Sequence, residues 1–126
     1  MKAAYVDTSC LVAVAFGERG GAEMERRLAG YDDLFSSNLL EAELRAAFGR
    51  EGVKLDGAVL ERITWVLPDR PLSGEIRQVV ASGYLRGANP WHLACALYLS
   101  EDPTRIAFLT LDPRQRAVAD RIGFLA

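Results

Sequence analysis

The chain has 126 residues, of which 50% are apolar and 25% are charged, so its size and composition are those of one globular domain. Fifteen basic and 17 acidic residues leave a net charge of −2, which excludes a strongly basic nucleic-acid-binding module. With one histidine and two cysteines, the chain cannot build a zinc site of four cysteines, or of two cysteines and two histidines, so any metal would be held by oxygen.

Short apolar runs alternate with helical patterns along the whole chain. In chain order the predicted elements are strand 3–6, helix 20–29, strand 33–36, helix 38–51, helix 56–63, strand 64–67, helix 71–83, helix 90–100, strand 106–109, helix 113–122 and strand 123–125. This alternation predicts βαβ units, and therefore an α/β fold with a mainly parallel central sheet and helices on both faces. No repeat or linker interrupts it, so we expect a single domain over residues 1–126.

The cysteines and the apolar runs indicate a cytoplasmic protein. Cys10 and Cys95 both lie in apolar stretches, where a buried thiol is the simpler interpretation and a disulfide is the alternative. Asp7 divides the apolar run near the N-terminus, which does not resemble a secretory signal. No run reaches the ~18 apolar residues that a membrane span needs.

Acidic or amide side chains follow the clearest strands or begin a helix. Asp7 and Asp112 follow the two most apolar strands, so both carboxylates should emerge at the carboxyl edge of the sheet, where ligands bind in such folds. Asn89 begins a predicted helix. Helix capping is the alternative for each of the three residues, and proline follows both Asn89 and Asp112.

The predicted helix at 38–51 contains two candidate acids. Glu41 has structural partners in Asn38, which it follows as in a capping box, and in Arg45 at i+4, so we assign it to the surface.

Glu43 instead shares a helical stripe with apolar residues that we expect to pack inward: Leu39, Leu40, Ala46 and Ala47. A carboxylate on an apolar face is costly unless something cationic meets it. We therefore expect Glu43 to join Asp7 and Asp112.

Three carboxylates at one sheet edge form a hard, oxygen-only site that suits Mg²⁺ or Mn²⁺. Without the cation, mutual repulsion would raise at least one carboxyl pKa. Such a metal site suits hydrolysis of phosphodiesters by a metal-activated water.

Four segments together resemble a known family. The segments YVDTS, SSNLLEAEL, GANPWHLACAL and FLTLDPRQRAVADRIGF are similar to the four signature regions of PIN domains, and most similar to those of VapC-type ribonuclease toxins. The resemblance spans nearly the whole chain. It implies a three-layer α/β/α sandwich, RNA cleavage with Mg²⁺ or Mn²⁺, a homodimer, and a cognate antitoxin whose tail covers the active cleft.

The resemblance also assigns residues. It makes Asp7, Glu43 and Asp112 catalytic acids and metal ligands, with Ser9 and Thr110 as supporting hydroxyl residues.

Asn89 departs from the family pattern, which commonly has Asp at this position. Asn keeps an oxygen ligand but loses a charge, so metal affinity should fall. We include Asn89 in the catalytic and metal-binding set; the alternative is a catalytically weakened module that only binds a partner. His92, three residues later, is expected to support the acids, with a general base as the alternative.

Arginine supplies 13 of the 15 basic residues, and its side chain is well shaped to bind phosphate. Arg114 and Arg116 directly follow Asp112 and are candidate RNA contacts, although solvated partners of the acids are the alternative. A remote alternative function is an aspartyl-phosphate phosphatase, but Ser9 stands where that chemistry needs a second Asp.

Overall fold

The central sheet consists of four parallel strands in the computed structural model, which describes residues 2–126. The strands are β1 (Ala3–Val6), β2 (Asp33–Ser37), β3 (Ile63–Val66) and β4 (Ala107–Leu109). Their spatial order is β3-β2-β1-β4, so the chain builds outward from β1 in one direction and then returns to add β4 on its other side. The order of strands therefore reverses at β1, between β2 and β4.

Six helices cover the sheet. They are α1 (Thr8–Phe16), α2 (Gly21–Ala29), α3 (Leu39–Arg50), α4 (Ser73–Ser82), α5 (Asn89–Leu99) and α6 (Pro113–Ile122). Short 3₁₀ turns lie at Gly57–Leu60 and Pro103–Arg105. None of the helices within residues 2–126 is long and apolar enough to cross a membrane.

Two hydrophobic cores lie on opposite faces of the sheet, because successive strand residues point to opposite sides. Ala4 and Val6 pack with α1, α2 and α3 on one face. Tyr5 packs with α4, α5 and α6 on the other, where its ring stacks on Phe108 at 5.4 Å between centroids. The predicted three-layer α/β/α sandwich is confirmed.

Two sequence predictions of local structure were wrong, and one helix was missed. Helix α1 was not predicted, because its segment TSCLVAVAF is apolar on every side and shows no amphipathic period. The predicted helix 56–63 is only a 3₁₀ turn at Gly57–Leu60, followed by β3. The predicted strand 123–125 is reduced to one bridge between Leu125 and Ala107.

Both cysteines are buried and unbonded, as predicted. Burial raises the pKa of the Cys95 thiol to about 12, so that thiol remains protonated at neutral pH. The two cysteines contribute packing volume, one to each core.

Candidate active site

A cavity of about 370 Å³ opens at the carboxyl edge of the sheet, beside the junction of β1 and β4. Ligands of open α/β sheets bind at such a reversal of strand order. The four predicted metal ligands line this cavity, together with two of the predicted supporting residues, Ser9 and His92; the four ligands are Asp7, Glu43, Asn89 and Asp112. The first and the last of them, Asp7 and Asp112, are 105 positions apart in the sequence. The order of the strands brings them to the same edge of the sheet.

Asp7 is the first residue after β1 and is held by hydroxyl groups. Its carboxylate accepts hydrogen bonds from Ser9 Oγ at 2.5 Å and from Thr110 Oγ1, and its residue is only 2% exposed. Burial raises the pKa of this carboxyl group, and the bonds from Ser9 and Thr110 oppose that rise. Asp7 precedes α1 but makes no side-chain capping bond, so the capping alternative was wrong here.

Asp112 caps α6 as the capping alternative predicted. Its Oδ1 accepts from the backbone N–H of Arg114 at 2.9 Å and of Gln115 at 3.3 Å. Its Oδ2 accepts from Asn89 Nδ2 at 3.1 Å. One oxygen of this carboxylate therefore caps the N-terminus of α6, and the other binds Asn89 in the site.

Asn89 is the first residue of α5 and does not cap that helix. Because a carboxylate can only accept, the side-chain amide must direct its Nδ2 to Asp112, and no hydrogen bond reaches its Oδ1 from residues 2–126. The backbone carbonyl of Asn89 accepts from the fully buried Gln115 at 3.2 Å. The amide thus relieves the negative charge of Asp112 while keeping one free oxygen.

Glu43 reaches the cavity from α3, with a side chain that is 37% exposed. Its Oε1 lies 2.6 Å from the Thr8 hydroxyl, which donates to it, and 3.0 Å from His92 Nε2. The hydrogen bond with His92 is the main cause that lowers the pKa of Glu43, so this carboxyl group is ionised at neutral pH.

The inward stripe expected for α3 needs correction. Its buried residues are Leu40, Leu44, Ala47 and Phe48, whereas Ala46 is exposed and Leu39 is partly buried. Glu43 lies at the border of the packed face, so its carboxylate reaches the buried His92, the partly buried Thr8 and the cavity.

Glu41 lies outside the cavity, as expected. Its carboxylate pairs with Arg45 at 2.8 Å and accepts from Asn38 Nδ2 at 3.1 Å. The hydrogen bond with Arg45 lowers the pKa of Glu41. Asn38 therefore bonds the Glu41 side chain and does not complete a capping box.

His92 lies beside the acids, 1% exposed, with Nδ1 2.8 Å from the Tyr5 hydroxyl. Its two ring nitrogens both face protein groups. The supporting role expected for it remains a prediction.

The two candidate RNA-binding arginines differ. The Arg114 side chain is exposed and makes no hydrogen bond within residues 2–126, whereas Arg116 binds Asp120 at 2.9 Å and the Phe108 carbonyl. A second cavity of about 410 Å³ adjoins the first, shares Asn89 and Asp112 with it, and is also lined by Arg86 and Arg114. Arg114 is thus the better candidate of the two, and Arg86 lines the same cavity.

Comparison with protein families decides the fold family: the family model for the PIN domain matches residues 4–121. The chain belongs to the PIN domain family. PIN domains are generally nucleases, and many use divalent metals. No curated protein and no solved structure gives a significant match to the chain.

The donor set of this PIN domain fits a hard divalent cation by its chemistry. Asp7, Glu43 and Asp112 offer carboxylates and Asn89 offers an amide oxygen, and the Glu43 Oε2 and Asn89 Oδ1 atoms accept no hydrogen bond from residues 2–126. In that same part of the chain, no three His, Cys, Asp or Glu side chains are grouped closely enough to enclose an ion. Oxygen ligands suit Mg²⁺ and Mn²⁺.

Sequence reasoning missed Thr8 and Gln115. Thr8 binds Glu43, and Gln115 links α6 to the Asn89 carbonyl; both line the cavity. Thr8 stands between Asp7 and Ser9, which were both singled out, but nothing in the sequence distinguishes its hydroxyl from that of any first-turn threonine. Gln115 is a polar residue in the inward position of α6, and that pattern was the available signal.

Proposed function

We propose that this PIN domain is a Mg²⁺- or Mn²⁺-dependent endoribonuclease of the VapC type, the toxin of a type II toxin–antitoxin pair that acts in the cytoplasm. The observation that supports the proposal is that Asp7, Glu43 and Asp112, carried by three separate parts of the chain, line one cavity of a PIN domain. The likeness of its four sequence segments to VapC toxins supports the finer assignment.

The residues of the cavity would have two roles, to hold the cation and to orient the residues that hold it. Asp7, Glu43, Asp112 and Asn89 would hold the cation, which when bound polarises the phosphate and lowers the pKa of a water molecule. Ser9 and Thr110 fix the orientation of the Asp7 carboxylate through their hydroxyl groups.

The substrate would cross the shared wall of the two cavities. Cleavage would take place beside the acids of the first cavity, and Arg86 and Arg114, which line the adjoining cavity, would bind a neighbouring phosphate. A chain with a net charge of −2 needs such local cations, since bulk attraction to RNA is absent.

Purified protein, freed of any antitoxin, tests the proposed reaction on single-stranded RNA. We expect cleavage with Mn²⁺ or Mg²⁺, none with excess chelator, and a loss of at least ~100-fold in rate for Asp7→Asn. Asp32→Asn is the matched control, because Asp32 is exposed and lies at the amino-terminal ends of the strands, away from the cavity. Full activity in chelator would contradict metal-dependent hydrolysis.

The toxin assignment requires further observations. Expression should arrest growth, co-expression of a small DNA-binding protein encoded next to it should relieve that arrest, and light scattering should give the mass of a homodimer. RNA cleavage in vitro without growth arrest would contradict the toxin assignment and would indicate a ribonuclease with another cellular role.

One observation favours a second candidate, a PIN domain that binds a partner without catalysis. Asn89 already donates a hydrogen bond to Asp112, so this carboxylate has a partner without a cation. Folded protein that cuts no RNA in a broad set, with either metal, would select this second function.

A further inference from the structure

His92, the sole histidine of the chain, joins the core to the candidate site through both of its ring nitrogens. It lies in the first turn of α5 and is 1% exposed. Nδ1 lies 2.8 Å from the Tyr5 hydroxyl, and Nε2 lies 3.0 Å from Glu43 Oε1. A buried tyrosine on β1 is thereby linked to a carboxylate that lines the cavity.

The hydrogen bonds of Tyr5 decide where the imidazole carries its proton. The Tyr5 oxygen accepts from the Ser37 backbone N–H at 2.9 Å, so the hydroxyl proton remains to be donated. His92 Nδ1, at 2.8 Å, is the closest side-chain partner of this hydroxyl, and the Ser36 hydroxyl and the Cys95 thiol also lie next to it. If Nδ1 were protonated, the buried hydroxyl proton would lose its closest and strongest acceptor, since the Cys95 thiol accepts only weakly and the Ser36 hydroxyl already bonds the Val6 carbonyl. Nδ1 therefore accepts, and Nε2 carries the proton.

The Nε2–H tautomer has a consequence for Glu43. Its Oε1 then receives two donors: the Thr8 hydroxyl at 2.6 Å, and the His92 Nε2–H, which lies closer to Oε1 (3.0 Å) than to Thr8 Oγ1 (3.3 Å). Its Oε2 receives none from residues 2–126. The two carboxylate oxygens are thus distinguished, one fixed by the protein and one left for a ligand in the cavity.

We propose that Tyr5 and His92 are positioning residues for Glu43: Tyr5 selects the Nε2–H tautomer of His92, and His92 fixes Oε1 so that Oε2 is the oxygen offered to a cation. The inference rests on the proposed function, since it is that function which makes Glu43 a ligand. The hydrogen bond at one imidazole nitrogen sets the state of the other, and partners of this kind typically change metal affinity 10- to 100-fold.

Because the chain has one histidine, long-range ¹H–¹⁵N spectra of the labelled full chain report its tautomer without ambiguity. We expect a protonated Nε2 and an unprotonated Nδ1 in the wild type, and loss of that single pattern in Tyr5→Phe. Tyr98→Phe removes the same hydroxyl at the surface, where Tyr98 binds Asp69, and should leave the spectrum unchanged. A protonated Nδ1 in the wild type, or an unchanged spectrum in Tyr5→Phe, overturns the inference.

Titration with Mn²⁺ alone provides the second readout. Tyr5→Phe and His92→Leu should weaken Mn²⁺ binding by roughly tenfold or more. His92→Gln should recover most of the affinity, because its amide can still donate to Glu43, and thermal unfolding checks that each variant is folded. Equal losses in His92→Gln and His92→Leu would overturn the positioning role.

The two proposals fail in different ways. If the wild type neither binds Mn²⁺ nor cuts RNA, the proposed function fails, and the tautomer spectra alone decide whether Tyr5 controls His92. If the wild type cuts RNA but Tyr5→Phe alters neither the spectrum nor Mn²⁺ affinity, the positioning role fails and the nuclease stands.

Discussion

Glu41 and Glu43 are separated by two positions on α3 but differ in every contact. Glu43 accepts from Thr8 and His92 and lines the cavity, whereas Glu41 pairs with Arg45 in solvent. We expect Glu43→Gln to lower the rate of RNA cleavage by at least ~100-fold, because it removes a charge from the proposed metal site. Glu41→Gln should lower the rate less than threefold, since Glu41 lies outside the cavity and its ion pair with Arg45 is open to solvent.

Single-turnover cleavage at saturating Mn²⁺ measures both variants under the same conditions. Similar losses in the two would show that the choice of Glu43 over Glu41 is wrong. Circular dichroism on each variant confirms that α3 is intact.

Substitution of Asn89 should have opposite effects on stability and on metal binding. In Asn89→Asp, a carboxylate replaces the amide that donates to Asp112 at 3.1 Å, so two negative groups meet without a donor. In chelator the variant should lose about 1–3 kcal/mol of unfolding free energy. With Mn²⁺ the added charge should lower the concentration for half-maximal cleavage by roughly tenfold.

The chain contains one other asparagine, and it is the matched control. Asn38 Nδ2 also donates to a glutamate at 3.1 Å, but in solvent. Asn38→Asp should therefore change stability by less than ~1 kcal/mol and leave the metal requirement unchanged. A higher metal requirement in Asn89→Asp would refute the argument from the missing charge.

Two kinds of site residue could be predicted from the sequence: polar residues that directly follow a strand, and polar residues within an apolar helical stripe. Asp7 and Asp112 follow the two most apolar strands, and parallel strands bring such residues to one edge. The hydrogen bond between Asn89 and Asp112 could not be predicted, because it depends on how α5 and α6 are oriented at their first turns. For the same reason, the free Arg114 and the bonded Arg116 looked equivalent.

At the scale of helices, α1 and α2 pack unusually closely beside the cavity. A Cβ atom at Gly21 would lie 2.4 Å from the Ala13 carbonyl oxygen, and backbone cannot yield easily there. Gly21→Ala should therefore destabilise the protein by about 1–3 kcal/mol in urea unfolding. Gly49 in α3 has open space around it, so Gly49→Ala should stabilise by about 0.5–1 kcal/mol. Stabilisation by both changes would contradict the close contact.

The elements that could be predicted are those with a clear period or a clear boundary. β1 was predicted at its observed bounds because an apolar run ends there at Asp7. Helix α1 is covered by neighbours on most sides, so its sequence lacks the polar face that identifies a helix. In the segment 56–63, local helical preference extended only one turn before pairing with β2 imposed the strand Ile63–Val66.

At the scale of the whole molecule, the net charge of −2 gives no overall attraction to RNA, so RNA binding should depend on where the unpaired arginines lie. Arg86→Ala with Arg114→Ala should weaken RNA binding and reduce the slope of log K against log salt by about 1.4, the value for two lost contacts with a single strand. Lys2→Ala with Arg105→Ala removes the same charge at the opposite edge of the sheet and should leave the slope nearly unchanged. Filter binding in chelator measures both; equal slopes would contradict the proposed path.

The junction of β1 and β4 joins the beginning of the sheet to its last strand. All the other strand pairs can form once β3 has been made, but Asp7 meets Thr110 and Asp112 only after the chain has returned to β1. Long-range parallel pairing of this kind forms late, because its loop must close before any contact is gained. A growing chain therefore cannot bring Asp7 together with Thr110 and Asp112 until β4 and the residues after it have been made, so the proposed site is the last part of this sheet edge to assemble.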